Sequence, residues 1–358
     1  MDETKPIQPL DFEEPIFEMR AKIAELEDLS RRTGMDLNGQ MQPLKDKLNQ
    51  LTAQIFDGLS AWDRVKLARH PARPYTTDYV DHVFDSFSEL FGDRLFSDDP
   101  AMMGGLARLD GRSVMLLGHR KGRDTKEKIA CNFGCAHPEG YRKAKRLMKL
   151  AEKFGIPIIT LINTPGAYPG IGAEERGQAY AIAENLMLMA GLRVPILSVV
   201  IGEGGSGGAL GIGVADRVLI LEHAYYSVIS PEGCAAILWK SSEKAGEAAE
   251  ALKITARHLK ELEIVDEVIP EPMGGAHRHP HAMAETLKDV LTRELDALCE
   301  RSVDELLEGR YEKFRRMGTL FGDEPPRMPE EPASPEGEKA SAAEAPSEGA
   351  TDPELQED

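Results

Sequence analysis

Apolar residues recur along this chain with two periods, and the change from one to the other divides it. After Pro15, Ile16, Met19, Ile23 and Leu26 return every three or four positions to about Arg32, which puts them on one stripe of an α-helix. Pro15 suits its first turn and Gly34 its stop. Leu44, Leu48, Leu51 and Ile55 form a second stripe, so this part predicts a helical hairpin. Its narrow apolar faces need a partner surface, on the body of the chain or on another subunit. His70-Pro71-Ala72-Arg73-Pro74 interrupts the pattern and marks a boundary. Thr76 or Thr77 then caps a helix carrying Val80, Val83, Phe84, Phe87, Leu90 and Phe91, which ends at Gly92.

Beyond residue 100 strands enter. Apolar runs at 103–109 and 114–118 flank Asp110-Gly111, the signature of a β-hairpin. Pro138 opens a helix with Tyr141, Ala144, Leu147, Met148, Ala151 and Phe154 on its core face. Two continuous apolar runs follow, 156–163 and 194–201, and each feeds a Gly-rich turn and then a helix. The first of these helices spans about 173–190; the second is short. This alternation predicts βαβ connections and a sheet whose strand ends form a site. Further strands are expected at 217–221, 225–229 and 265–269, with a helix from Pro231 to Trp239. Residues from about 282 to 317 read as two amphipathic helices, one on Leu287, Val290, Leu291, Leu295 and Leu298, the next on Leu306, Leu307, Tyr311 and Phe314.

Charge and composition modify this outline in a few places. Of the net charge of −18, residues 323–358 contribute twelve acids and two bases, in a stretch of Pro, Glu, Ser and Ala with little to bury. That tail is expected to be disordered, and the body is only mildly acidic. No apolar run approaches the ~20 residues of a membrane span, and the polar N-terminus lacks the apolar core of a signal peptide. Cys131, Cys135, Cys234 and Cys299 show no framework spacing, which points to a reducing, cytoplasmic setting. Cys131 and Cys135 lack the second Cys/His pair of a zinc site, so no metal is expected. Residues 119–149 concentrate bases: Arg120, Lys121, Arg123, Lys126, Lys128, Arg142, Lys143, Lys145, Arg146 and Lys149. They read as a solvated helix face, as a site for phosphates such as those of coenzyme A, or as a nucleic-acid surface. The near absence of interleaved aromatics and the acidic body rank nucleic acid last.

The candidate chemistry gathers in the two turns. The run from Gly202 to Gly208 holds five glycines in seven residues. A phosphate loop fails, because Ala209 and Leu210 stand where Lys and Ser/Thr would be needed. Gly202-x-Gly204-x-x-Gly207 fits a dinucleotide fingerprint, with Glu222 at a later strand end. Against it, the following helix is broken by Gly211 and Gly213, the motif lies far from the first strand, and the turn at 164–170 would have no role. A third reading uses both turns as sources of backbone N–H groups for an oxyanion, an arrangement that carries catalysis with few side chains. No Ser-His-Asp arrangement is legible: Ser206 lacks a nucleophile-elbow context, and His277, His279 and His281 sit in a Gly/Pro-rich loop that reads as a surface turn. Glu174-Glu175 reads as the acidic first turn of a helix; Glu203 is the other acid near the glycines.

Thr164-Pro165-Gly166-Ala167-Tyr168-Pro169-Gly170, Ala173-Glu-Glu-Arg-Gly-Gln178, the glycine run through Leu210, and Tyr226-Ser-Val-Ile-Ser-Pro-Glu-Gly-Cys-Ala-Ala-Ile-Leu-Trp239 together resemble the carboxyltransferase alpha subunits of bacterial acetyl-CoA carboxylase. Lys121-Gly122-Arg123-Asp124-Thr125-Lys126 and Gly274-Gly275-Ala276-His277-Arg278 extend the likeness, which runs from about Pro15 to Gly318 and leaves out the acidic tail. The resemblance implies an α/β chain with the ClpP/crotonase-like fold of ββα superhelical repeats, an N-terminal helical extension over 1–72, a carboxyltransferase domain over 73–322 that ends in helices, and a tail over 323–358. It implies cytoplasmic transfer of a carboxyl group from carboxybiotin, on the biotin carboxyl carrier protein, to acetyl-CoA, giving malonyl-CoA for fatty-acid synthesis. The partners implied are a zinc-bearing beta subunit in an α2β2 assembly and, in the full ATP-dependent complex, biotin carboxylase.

By the family pattern Gly207 and Gly208 supply oxyanion-hole N–H groups to the biotin ureido oxygen. Gly166, Ala167, Tyr168, Pro169, Gly170, Gly204, Gly205, Ser206 and Ala209 are then expected to line the substrate site. In that mechanism the biotin anion itself takes the methyl proton of acetyl-CoA, so no protein base is needed. One departure is visible: Asn163 stands where the family usually has Asp. Two other readings remain open. One is a self-sufficient acyl-CoA hydratase or decarboxylase of the same fold, using Glu203 or Glu174 as acid/base. The other is a non-enzymatic binding role through the basic segment.

Overall fold

The apolar runs assemble into one eight-stranded sheet: β1 (Ser86–Glu89), β2 (Met102–Leu109), β3 (Arg112–His119), β4 (Ile158–Thr164), β5 (Ile196–Gly205), β6 (Arg217–Leu221), β7 (Tyr225–Ser227) and β8 (Glu267–Ile269). The computed structural model of the chain describes residues 8–318; the disordered tail expected at 323–358 lies outside them. The strand order is β1-β2-β3-β4-β5-β6-β8, with β7 beside the C-terminal end of β5. β1, β2 and β3 pair antiparallel and every later pairing is parallel. All seven positions of β4 and all ten of β5 are buried, as continuous apolar strands covered on both faces must be. At the hairpin between β2 and β3, Asp110 and Gly111 both take positive φ (47° and 77°), the requirement of a tight primed turn.

The helices are α1 (Glu14–Thr33), α2 (Asn38–Asp57), α3 (Ala61–Ala68), α4 (Thr76–Val83), α5 (Thr125–Ala130), α6 (Pro138–Phe154), α7 (Ile171–Glu175), α8 (Gln178–Gly191), α9 (Ser206–Leu210), α10 (Pro231–Trp239), α11 (Ala245–Ala251), α12 (Ala256–Glu261), α13 (Pro280–Cys299) and α14 (Val303–Arg316). No described helix is long and apolar enough to cross a membrane. The hairpin of α1 and α2 folds back on its own body: Ile16 and Phe56 pack with Leu67 of α3, and the Phe56 ring meets His223 at 5.5 Å.

Several expectations change in the structure. The helix read from Thr76 to Phe91 stops at Val83, and Phe87 belongs to the edge strand β1. Its three- and four-residue apolar spacing is coincidental. Ser88 pairs with Leu106 and Glu89 with Gly105, and glycine is required at 105 because a Cβ there would come 2.8 Å from the Ser88 carbonyl carbon. Asp78 caps α4 by accepting the Tyr75 N–H at 2.6 Å, while Thr76 Oγ1 donates to the His119 carbonyl. The helix expected over 173–190 breaks at Gly177, whose φ of 80° ends α7 and starts α8. Phe154 and Tyr311, read as core, are exposed; Phe154 is the last residue of α6, where the chain turns away through Gly155. The short α3, α11 and α12 lacked a periodic signal long enough to read.

The glycine run is also different in kind. Gly202, Gly204 and Gly205 are not in a loop but inside β5, and only Ser206 begins the turn. Gly204 pairs with Thr164 of β4 and Tyr226 of β7, and Gly205 with Ser227. Glycine is needed there for close approach rather than for bending.

Candidate active site

β4 and β5 run parallel and end side by side, so the two turns that leave them are neighbours. Thr164 closes the first turn on itself: its Oγ1 accepts the Gly166 N–H at 3.0 Å and donates to the Gly166 carbonyl at 2.8 Å. The second turn then packs flush against it. A Cβ on Gly205 would collide with the Pro165 carbonyl, and one on Gly208 would lie 2.5 Å from the Gly166 carbonyl carbon. The glycines are what let two backbones touch. Between the turns and α8 lies a cleft of about 460 Å³.

Gly166, Ala167, Tyr168, Pro169, Ser206, Gly207 and Gly208 all line this cleft. Gly170, Gly204, Gly205 and Ala209, also expected in the site, do not: Gly204 and Gly205 are buried in β5, Ala209 is in the core, and Gly170 packs against the Tyr168 ring. Sequence reading missed Gln178, Ala179 and Ile182 on α8 and Val228, Ile229 and Ser230 before α10, all of which contribute to the wall. Gln178 was inside a motif that carried the resemblance, and that signal was available. Val228, Ile229 and Ser230 likewise fall in the quoted 226–239 motif, whereas Ala179 and Ile182 are ordinary small or apolar residues with no such signal.

Gln178 is a bracket. Its Nε2 donates to the carbonyls of Ala136 (2.8 Å) and Tyr168 (3.0 Å), and Tyr168 N–H donates to the same Ala136 carbonyl. The Tyr141 hydroxyl, fully buried, donates to the Gly208 carbonyl at 3.2 Å. Burial pushes the Tyr141 phenol well above its ordinary pKa, so it stays a donor.

Glu203 is no free acid or base. Its carboxylate accepts from Arg69 Nε (2.7 Å), from the Tyr225 hydroxyl (2.8 Å) and from Lys121. Burial alone would raise its pKa; the charges of Lys121 and Arg69 outweigh that and hold it at about 2. Arg69 also reaches Glu232 at the start of α10. The cage therefore ties α3, the segment after β3, β7 and α10 to the residue that precedes Gly204. Asn163 Oδ1 accepts the Glu203 N–H at 3.1 Å, and its Nδ2 is buried without a partner. Beneath it His119 is kept neutral, by burial first and by Lys121 second, with its pKa lowered to about 3.

The basic segment is largely spent inside the molecule. Arg120 pairs with Glu89, Arg123 with Asp78, Arg142 with Asp93 and Glu139, Lys143 with Asp98, and Lys145 with Glu184. Arg146 donates to the carbonyls of Leu90, Phe91 and Gly92. Lys126 and Lys149 remain exposed and Lys128 half-buried, too few for the phosphate or nucleic-acid surface considered above.

Of the three histidines read as a surface turn, one differs from expectation. His277 is buried, with Nε2 3.0 Å from Glu13 Oε1, while His279 and His281 are exposed. Glu13, His70 and His277 bring potential metal donors within 4.8 Å of one another. His277 Nδ1 has no hydrogen-bond partner among the described residues, and the other donors are already engaged. Glu13 Oε1 accepts from Arg278 Nε and NH2, His70 Nδ1 accepts the Ala72 N–H, and His70 Nε2 donates to the Gln8 carbonyl. Arg278 is the cation of this cluster, which fastens the start of α1 to the 271–278 loop.

The elements that wall the cleft also expose large apolar side chains: Ile171 on α7, Tyr180 and Met187 on α8, Val228, and Ile237 and Leu238 on α10. Such a surface beside a cleft is characteristic of a face that another chain covers.

The chain is similar to several known proteins. Among solved structures, the chain is similar to a Pseudomonas malonate decarboxylase hetero-tetramer in complex with coenzyme A, at 18% identity and a TM-score of 0.51 over 61% of this chain and 90% of that one. It is likewise similar to the beta subunit of P. aeruginosa geranyl-CoA carboxylase, at 18% identity and a TM-score of 0.50 over 68% and 46% of the two chains. Likenesses this distant define the fold, which is the crotonase type found in carboxyltransferases. A family model described as acetyl co-enzyme A carboxylase carboxyltransferase-like matches residues 9–318. The acetyl-coenzyme A carboxylase carboxyl transferase subunit alpha of Xanthomonas campestris pv. campestris (strain B100) is 59% identical over 313 residues, 87% of this chain and 98% of that protein. Its namesake from Stenotrophomonas maltophilia (strain K279a) is 59% identical over 310 residues, 87% and 97% of the two. The chain belongs to the family of acetyl-CoA carboxylase carboxyltransferase alpha subunits.

Proposed function

We propose that this chain is the half of an acetyl-CoA carboxylase carboxyltransferase that receives the carboxylated biotin, and that it works only when a beta subunit closes the cleft. The observation carrying this reading is the pair of turns pressed backbone to backbone along a cleft, with the buried acid of the glycine run, Glu203, locked in ion pairs. Such a site is suited to stabilising an anion through N–H groups, and the acid that does line the cleft, Glu174, is exposed on α7. Gly207 and Gly208 supply the N–H groups to the ureido oxygen; Gly166, Ala167, Tyr168, Pro169 and Ser206 line the approach. Biotin arrives on its carrier protein, acetyl-CoA is held with the beta subunit, and biotin carboxylase recharges the carrier in the cytoplasm. The exposed apolar side chains on α7, α8 and α10 form the face for the beta subunit in an α2β2 assembly. Residues 1–72 act as a helical extension, 73–322 as the catalytic domain and 323–358 as a separate tail.

The test mixes purified alpha and beta chains and follows malonyl-CoA:biotin exchange. Exchange is expected in the mixture and in neither chain alone. Turnover of an enoyl-CoA by this chain alone would favour the hydratase reading, with Glu174 in the cleft as its acid. In the same assay Asn163→Asp is expected to change the rate by less than about tenfold, the scale of one hydrogen bond. Asn163 supports the turn from beneath and has no place in the cleft lining; a larger gain would assign its missing charge a catalytic role.

A further inference from the structure

The run Gly204-Gly205-Ser206-Gly207-Gly208 places its one side chain where the backbone resists one. Ser206 has φ of 51°, in the left-handed region that favours glycine, while none of its four glycine neighbours has positive φ. Three of those glycines are accounted for by contact: a Cβ on Gly204 would lie 2.8 Å from the Tyr226 ring, and Gly205 and Gly208 meet the 165–166 backbone. Nothing in the packing calls for serine at 206. The residue is exposed, it lines the cleft beside Gly207 and Gly208, and its hydroxyl has no hydrogen-bond partner among the described residues.

The strand–turn–helix context is an elbow after all, which the sequence reading denied. Yet no histidine or carboxylate among the described residues is bonded to Oγ, so Ser206 is an unactivated hydroxyl and no nucleophile. A strained, unpartnered donor kept at the mouth of a site is a feature that function maintains against stability.

Resting on the carboxyltransferase reading, we propose that the Ser206 hydroxyl donates a hydrogen bond to the carboxylate carried on the biotin ring nitrogen. The ureido oxygen is taken by the N–H groups of Gly207 and Gly208. The carboxylate sits on the adjoining nitrogen and is the remaining anionic acceptor, and a hydroxyl bonds more strongly to an ionised oxygen than to a neutral one. The contact exists only while the carboxyl group is on the ring.

The experiment uses the complete enzyme, this chain with its beta subunit, in malonyl-CoA:biotin exchange with biocytin as acceptor. Ser206→Gly and Ser206→Ala are each expected to lower kcat by about 10- to 100-fold, as loss of a bond to a charged group does. KM for biocytin should stay within about twofold, because the uncarboxylated ring does not use the contact. The unfolding midpoint of Ser206→Gly should equal or exceed that of the parent, since glycine accepts the left-handed backbone. Parental kcat in both variants would overturn the proposal. So would a raised KM with kcat intact, which places the contact on the ring itself, or a lowered midpoint in Ser206→Gly, which makes the serine structural. Absence of exchange in the unmutated mixture would instead overturn the carboxyltransferase reading, a separate failure.

Discussion

Gly208→Ala is expected to abolish exchange, with a loss of at least about 10²-fold, the scale of losing an oxyanion donor, while Gly207→Ala costs less than about tenfold because its N–H stays in place. The two glycines are adjacent, and the proposed chemistry uses the N–H of both, so composition alone does not separate them. Space does. A Cβ on Gly208 would sit 2.5 Å from the Gly166 carbonyl carbon and 2.9 Å from Gly166 Cα, and both are backbone atoms that cannot swing aside. A Cβ on Gly207 would meet nothing nearer than Ile182 Cδ1 at 3.7 Å, an ordinary contact. Alanine at 208 therefore forces the two turns apart, and the N–H groups leave the geometry in which the anion is held. Overpacking of this kind also costs about 1–3 kcal/mol of stability, so both exchange rate and unfolding midpoint should be measured. Equal losses in the two variants would mean that the abutment of the turns is not what organises the site.

The same abutment explains the polar groups beneath it. Each turn has its own fastening: Gln178 holds Tyr168, Tyr141 holds the Gly208 carbonyl, and the Arg69–Lys121–Glu203 cage holds the end of β5. Charged side chains thus act here as supports for backbone, and the proposed chemistry falls to N–H groups and one hydroxyl. On the proposed reading, that division accounts for a site with no catalytic triad among the described residues.

Most of the sheet was legible because β4 and β5 are continuous apolar runs whose burial on both faces leaves no other reading. The hairpin at Asp110-Gly111 was legible because only a few residue pairs accept two positive φ values in succession. What failed was any inference that needed a partner distant in sequence. Phe84, Phe87 and Leu90 carry a helical spacing, and only pairing with β2 reveals that 86–89 is a strand. The bases of 119–149 looked like a surface because their acids, Glu89, Asp78, Asp93 and Asp98, come from another stretch of chain. Glycine was legible as a residue type, but its reason was not. Gly205 and Gly208 reflect contact with residues 165–167, and the residue with the strained φ turned out to be serine.

The largest effect on stability is expected from Arg73→Ala. Arg73 and Glu271 are both fully buried, with NH2–Oε1 at 2.5 Å and NH1–Oε2 at 3.0 Å, and Arg73 Nε donates to the Ile201 carbonyl at 2.9 Å. Glu271 also accepts the N–H groups of His223 and Ala276. Burial would raise the Glu271 pKa, and Arg73 overrides it, leaving the carboxylate ionised down to about pH 2. Removing only the guanidinium strands that charge in the interior, and breaking one partner of a buried pair costs about 3–5 kcal/mol. Removing both charges, as Arg73→Met with Glu271→Gln, is expected to cost clearly less than the sum of the single changes. The sign in acid follows from the same pair. In the parent the depressed carboxyl contributes stability above its unfolded pKa near 4.5 and loses it as the pH falls toward about 2. In Arg73→Ala burial raises the carboxyl pKa, so the stranded charge is relieved by protonation already above pH 4.5, and with the parent's loss below it the gap between variant and parent should narrow as the pH falls. Urea unfolding at pH 7 and at pH 4 measures both, and a gap that widens in acid would place the main contribution of Arg73 elsewhere, in its bond to Ile201.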